Sequence, residues 1–264
     1  MKPPLFTVKG TQPPTQPLEI YGPLGTRAYI RNNLFYTHAI LNGTYVVHEL
    51  RFPCDPQHGD HTSLARSPYE LEGRNIPQVN GVWENIYSDK AISVPAARIN
   101  HSVPCVGYVV NELPTAENVG PNNGIEDHVQ FQKRGRKLVI LGDTHDPSPI
   151  LPLAVDADIL VHEATNSYLP SSIDPNTKPT DTYEAVETRA RSRGHSTPQM
   201  AGAFAKRSKA KRLVLNHFSS RYPGDDSESA ERMMLAILKL AEKEFDGEVV
   251  CAKDFLSLNV ARID

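Results

Sequence analysis

His101, His162, His195 and His217 each fall where a short apolar run ends or a helical pattern starts, and Asp143 and Glu163 occupy the same kind of place. Zinc prefers neutral imidazole nitrogen and carboxylate oxygen as donors, and a catalytic zinc keeps one position for water. A carboxylate can also bridge two metals, and such a pair can hold both an attacking water and a phosphate oxygen. Taken singly, each residue has a plainer reading. Asp143 after Gly142 suits a turn, His217 suits a buried hydrogen-bonded imidazole, and His195 suits a helix cap. Ten histidines prove nothing by number. What matters is whether distant strand ends carry them to one place.

Three segments share a design that would do so. Leu138–Leu141 runs into Gly142-Asp143-Thr144, Ile159–Val161 into His162-Glu163-Ala164-Thr165, and Leu213–Leu215 into Asn216-His217-Phe218-Ser219. Each is a continuous apolar run, the pattern of a strand buried on both faces. Each ends in acidic, imidazole or hydroxyl groups, as when function sits on loops at one edge of a sheet. Further strands are expected at Leu18–Pro23, Thr44–Phe52, Ile92–Arg98 and Val106–Asn111, with a last strand or strand pair in Glu248–Val260. Helices are expected at Thr26–Leu34, at Ser196–Lys206 and at Ser227–Phe245. The last of these presents Ala230, Met234, Ile237, Leu238 and Ala241 on one face, with Asp226 or Ser227 as cap. Cys54–Val82 reads as a polar surface excursion and Glu117–Asp127 as a loop.

Composition narrows the class. Of 264 residues, 39% are apolar and 22% charged, which fits a globular protein with a sizeable core. The net charge of −3 argues against coating nucleic acid by charge alone. The basic runs Lys133–Lys137 and Lys206–Arg212 read as solvated flanks of the strands after them, with contact to RNA phosphates as the sharper alternative. Three scattered cysteines make a disulfide framework unexpected and suit a reducing, intracellular compartment, with cytoplasm, nucleus and mitochondrion left open. No apolar run of about 18 residues marks a membrane span.

The motifs in order are Tyr21-Gly22-Pro23, His101-Ser102-Val103-Pro104 with Gly107-Tyr108, Gly135-Arg136-Lys137 leading to Leu141-Gly142-Asp143-Thr144, His162-Glu163-Ala164-Thr165, His195-Ser196-Thr197, Asn216-His217-Phe218-Ser219 with Arg221-Tyr222, and Ala252-Lys253-Asp254-Phe255. In this order and spacing the chain resembles tRNase Z, the endonuclease that trims the 3′ end of precursor tRNA, from about Leu18 to the end. The resemblance implies an α/β fold, the αββα sandwich of metallo-β-lactamases, and zinc phosphodiesterase chemistry with two zincs. It implies that His101 binds one zinc, Asp143 bridges both and His217 binds the second. His195 would touch the scissile phosphate and pass a proton to the leaving oxygen, and Glu163 would orient His195. His162 would be structural. The implied partners are precursor tRNA or another phosphodiester and, for the chain itself, a second copy.

One family motif, His-x-His-x-Asp-His, precedes Tyr-Gly-Pro in tRNase Z and is not found in residues 1–17, a proline-rich segment without histidine or aspartate. The expectation is therefore a non-core segment over 1–17 and an amino-terminally incomplete metallo-β-lactamase domain over 18–264. His101 with Asp143, and Asp143 with His217, offer two donors per zinc where a strong site wants three or four. A lost upstream segment, a non-catalytic role, or a second chain bringing ligands would each account for this. His58-Gly59-Asp60-His61 is rejected as a substitute, because it follows Tyr-Gly-Pro and no apolar strand leads into it. The family's long substrate-gripping arm is expected to be short or absent, since Val109–Gln132 is acidic. That keeps a small phosphodiester or sulfate ester open as substrate. His38, His48, His128 and His145 match no motif and are expected to be structural or exposed.

Overall fold

The computed structural model describes residues 16–117 and 131–262, and the chain divides into one unit ending at Gln78 and another beginning at Val79. In the first unit, β1 (Leu18–Pro23) leads into helix α1 (Thr26–Tyr36), and α1 returns to β2 (Tyr45–Arg51). The two strands pair in parallel, Leu18 opposite Tyr45 and Pro23 opposite Leu50, which requires such a crossover. Two short strands, β3 (Glu70–Leu71) and β4 (Asn75–Pro77), also pair with β2 in parallel. They lie inside the stretch expected to be a featureless excursion.

All seven residues of β2 are buried, including three polar side chains. Burial of charge is tolerable only with partners. Glu49 accepts from the backbone N–H of Gly25 at 3.0 Å and of Arg27 at 3.1 Å, so its carboxylate occupies the positive end of α1. It also pairs with Arg51 at 2.6 Å. Arg31 grips Glu70 through two bonds of 2.6 and 2.7 Å and meets Asp60 at 2.7 Å. That pairing gives Asp60 of the His58–His61 segment a structural partner, and His61 turns back to the His58 carbonyl at 2.6 Å.

His48 stacks on Tyr21 at 4.7 Å, and its Nδ1 accepts from the Arg74 backbone N–H at 3.1 Å. Burial, and then the Arg74 guanidinium, push this imidazole below the usual histidine range. The unfolded chain therefore takes up the proton first. The stability His48 contributes is complete above ~6.5 and is lost as pH falls from there toward the folded value. Buried His162 is shifted in the same sense. The melting temperature should fall between about pH 7.5 and about pH 5.5. His48→Asn, which keeps an acceptor near the place of Nδ1 but does not titrate, should make that slope shallower in thermal melts.

The second unit is built on a seven-stranded sheet in the order β13-β12-β11-β10-β7-β6-β5. In chain order these are β5 (Val82–Ser88), β6 (Ile92–Ile99), β7 (Cys105–Glu112), the small separate pair β8 (Thr115–Glu117) and β9 (Phe131–Lys133), then β10 (Lys137–Leu141). A short α2 (Leu151–Ala154) follows, then β11 (Ile159–Glu163), α3 (Tyr183–Ser192), α4 (Pro198–Arg207), β12 (Arg212–Asn216), α5 (Glu228–Glu242) and β13 (Glu248–Cys251). β10 to β13 are mutually parallel, and β5, β6 and β7 form an antiparallel meander joined to β10 through β7. In this unit β5, β8, β9, α2 and α3 are additions to the expected elements. The loop expected over Glu117–Asp127 lies outside the described residues from 118 on, as does His128.

The core joins Leu160, Leu213 and Leu215 to Phe204 of α4 and Ile237 of α5. Continuous burial holds for Leu213–Leu215, but Ile140 of β10 is 43% exposed. The expectation of two buried faces fails there because that side of β10 is open to solvent. On α5 the buried stripe is Ala230, Met233, Ile237 and Ala241, and Met234 and Leu238 pack at its margin. Ser227 caps this helix by accepting from Ala230 N–H at 3.2 Å. The basic runs flank strands as expected, and both reach Asp158, from Arg134 at 2.6 Å and from Lys211 at 2.8 Å. Among the described residues, no helix is long and apolar enough to cross a membrane.

Candidate metal centre

Parallel strands bring their carboxyl ends to one edge of a sheet, where loops gather functional groups. β10, β11 and β12 run this way, and β6 joins them, because it is antiparallel to β7, which is itself antiparallel to β10. His101 follows β6 by two residues and Asp143 follows β10 by two. Glu163 closes β11, His217 follows β12 directly, and His195 sits between α3 and α4. All five belong to the second unit, and the structure brings all five together. The His101 and His195 rings lie 5.1 Å apart, those of His195 and His217 5.5 Å. His217 Nε2 is 3.5 Å from Asp143 Oδ2.

Glu163 organises the centre from behind. It is 1% exposed, and both its oxygens are occupied. Oε1 accepts from Thr144 N–H at 2.8 Å and meets His195 Nδ1 at 3.0 Å. Oε2 accepts from Ser196 N–H at 3.1 Å and from the Thr165 hydroxyl at 2.5 Å. A buried carboxylate satisfied this fully is a fixed anchor. Its hold on His195 Nδ1 leaves Nε2 as the ring's working nitrogen.

His101 is fixed differently. Its Nδ1 donates to the Gly194 carbonyl at 2.8 Å, which again leaves Nε2 for a ligand. Gly194 has φ +85°, in the left-handed region that glycine enters without strain. His217 sits at φ 53° without that freedom, so its backbone needs holding. His162 is fully buried, with Nδ1 against the Glu163 carbonyl at 2.8 Å.

Donor atoms of His101, Asp143 and His195 lie within 4.8 Å of one another, and so do those of Glu163, His195 and His217. Imidazole and carboxylate are the donor chemistry of zinc, so the donor types fit that metal, while the count, two per ion with Asp143 shared, stays below the three or four of a strong site. The second group is tied up internally by the Glu163 hydrogen bonds, so it serves orientation better than ligation. Asp143 and His217 stay partly exposed, with side chains at 35% and 48%, as donors with room for a ligand must be. Thr144, Thr165, Gly194 and Ser196 belong to this centre without a role legible in the sequence.

No family model matches the chain. It is 33% identical over 295 residues to the human protein named zinc phosphodiesterase ELAC protein 1, covering 95% of this chain and 76% of that protein. It is 29% identical to the ribonuclease BN of Cronobacter sakazakii, over 92% of this chain and 72% of the relative. Among solved structures it matches human tRNase Z, short form, at 31% identity and a TM-score of 0.57, covering 94% of this chain and 69% of that one. With its fold that of the metallo-β-lactamases, the chain belongs to the tRNase Z family of zinc phosphodiesterases.

Proposed function

We propose that the chain is a zinc-dependent endoribonuclease of the tRNase Z type, cutting precursor tRNA at its 3′ side by phosphodiester hydrolysis. The observation that carries this is the meeting of His101, Asp143, His195 and His217 at one sheet edge, with Glu163 behind them. His101, Asp143 and His217 would hold the zinc, with Nε2 of His217 3.5 Å from Asp143 Oδ2. Bound zinc supplies positive charge that polarises a phosphate and acidifies water. His195, held by Glu163 through Nδ1–H, presents Nε2 to the scissile phosphate and, in its doubly protonated form, gives the Nε2 proton to the leaving oxygen, returning to the neutral ring with Nδ1–H. The contact with Glu163 keeps that ring in one orientation.

The test is direct. The purified protein, equilibrated with zinc, is analysed for metal and incubated with a precursor tRNA carrying a 3′ trailer and, separately, with a small chromogenic phosphodiester. Bound zinc, about two ions per chain if the site is intact, and a cut at the trailer junction are expected, both lost to a chelator and restored by zinc. Turnover of the chromogenic ester with the tRNA left intact would replace this reading with a small-substrate hydrolase. Absence of both zinc and cleavage would point to a non-catalytic relative.

A further inference from the structure

The Thr165 hydroxyl touches more of the centre than any resemblance assigns to it. Its oxygen is 2.5 Å from Glu163 Oε2, 2.8 Å from His217 Nδ1 and 3.0 Å from the His217 carbonyl oxygen. A hydroxyl has one proton to give. The ionised carboxylate is the strongest acceptor and makes the shortest contact, so it takes that proton. The contact with His217 Nδ1 must then run the other way, with Nδ1–H donating to the threonine oxygen. This direction fixes the His217 tautomer. Its lone pair is on Nε2, the nitrogen 3.5 Å from Asp143 Oδ2.

The backbone makes such a brace necessary. His217 is held in the left-handed region at φ 53°, a conformation that is unfavourable for a residue other than glycine. Thr165 is itself fixed on both sides. Its N–H reaches Glu163 Oε2 at 3.3 Å, and its carbonyl accepts from Ser219 N–H at 3.0 Å, two residues beyond His217.

We propose that Thr165 is a positioning residue for His217, coupling it through the hydroxyl to Glu163, so that one buried carboxylate orients His195 and His217. Oε1 sets His195 directly, and Oε2 sets His217 through Thr165. The proposal rests on His217 being a zinc donor, the reading above, but the tautomer it assigns does not depend on metal. The outer partner of a metal-bound histidine commonly contributes 10–100-fold to affinity.

The experiment compares wild type with Thr165→Val, which keeps shape and removes the hydroxyl, and Thr165→Ser, which keeps the hydroxyl. Chelator competition measures zinc affinity, and nitrogen NMR of labelled histidines reads the His217 tautomer in metal-free protein. Thr165→Val should weaken the His217-side zinc by roughly 10–100-fold, lower kcat more than KM is raised, and release the Nδ1–H tautomer. Thr165→Ser should restore all three. Valine at wild-type affinity with the tautomer unchanged would overturn the proposal, as would serine failing as valine does. If wild type itself held no zinc, the functional reading would fall, and the metal-free tautomer would still decide the role of Thr165.

Discussion

Asp143→Ala should abolish hydrolysis of either phosphodiester and remove zinc from the purified chain, while the metal-free protein melts where wild type does. The reasons are local. Asp143 stands beyond the end of β10, with its side chain 35% exposed, so its loss opens no cavity in the core. Partly exposed substitutions of this kind usually change stability by about 0.5 kcal/mol or less. As a ligand, by contrast, it is the one carboxylate in the centre not consumed by a dense set of backbone bonds, and its donor oxygens lie within reach of His101, His195 and His217. Removing an outer partner of a metal costs 10–100-fold, so losing a bridging ligand should cost at least about 100-fold in rate. Zinc that binds only the folded form raises the melting temperature of wild type, and that increment should vanish in the variant. Metal analysis, melts with and without zinc, and a cleavage time course check it together. Retained cleavage would mean that the reacting phosphate is held elsewhere.

Much of the centre was legible because its chemistry sits where patterns break. Apolar runs over 138–141, 159–161 and 213–215 mark strands by themselves, and the candidate functional residue, Asp143, Glu163 or His217, stands two positions past each run. His101 and His195 were harder, since neither follows so clean a run, and the ordered motifs around them located them. Other features were hidden for physical reasons. α3 buries little beyond Val186 and Ala190, so no apolar stripe announces it, and its signals are a Thr182 cap and arginines in its last turn. β5 hides its alternation behind Glu84 and Asn85, where its pairing with β6 shifts register between Trp83 and Tyr87. The charged network on β2 cannot be foreseen from β2 alone, because its partners come from α1 and from residues 60–75. Thr165 carries no signal by type. Its role appears only when 163, 165 and 217 meet in space.

Gly194→Ala should disable the centre about as completely as loss of a ligand, although Gly194 contributes no side chain. A Cβ built there would lie 2.3 Å from His101 Nδ1 and 2.8 Å from the Ser102 nitrogen. Both are far inside van der Waals contact, and the Ser102 nitrogen belongs to the backbone and cannot swing aside. The carbonyl of the same residue accepts from His101 Nδ1 at 2.8 Å, so relief of the clash by moving the ring breaks the bond that sets its tautomer. The left-handed φ adds a further penalty of roughly 1–2 kcal/mol for any side chain. Displacing the His101 ring leaves Asp143 without its partner on that side, and His195, the next residue in the chain, is carried along. Zinc on the His101 side should fall below detection in metal analysis, and cleavage should drop by at least about 100-fold. Melting of the metal-free variant should be lowered by the backbone strain, which Asp143→Ala does not incur. That contrast separates a steric failure of the Gly194 turn from simple loss of a donor. Full zinc occupancy in Gly194→Ala would show that the close approach of the 194 turn to His101 is not what holds the imidazole in place.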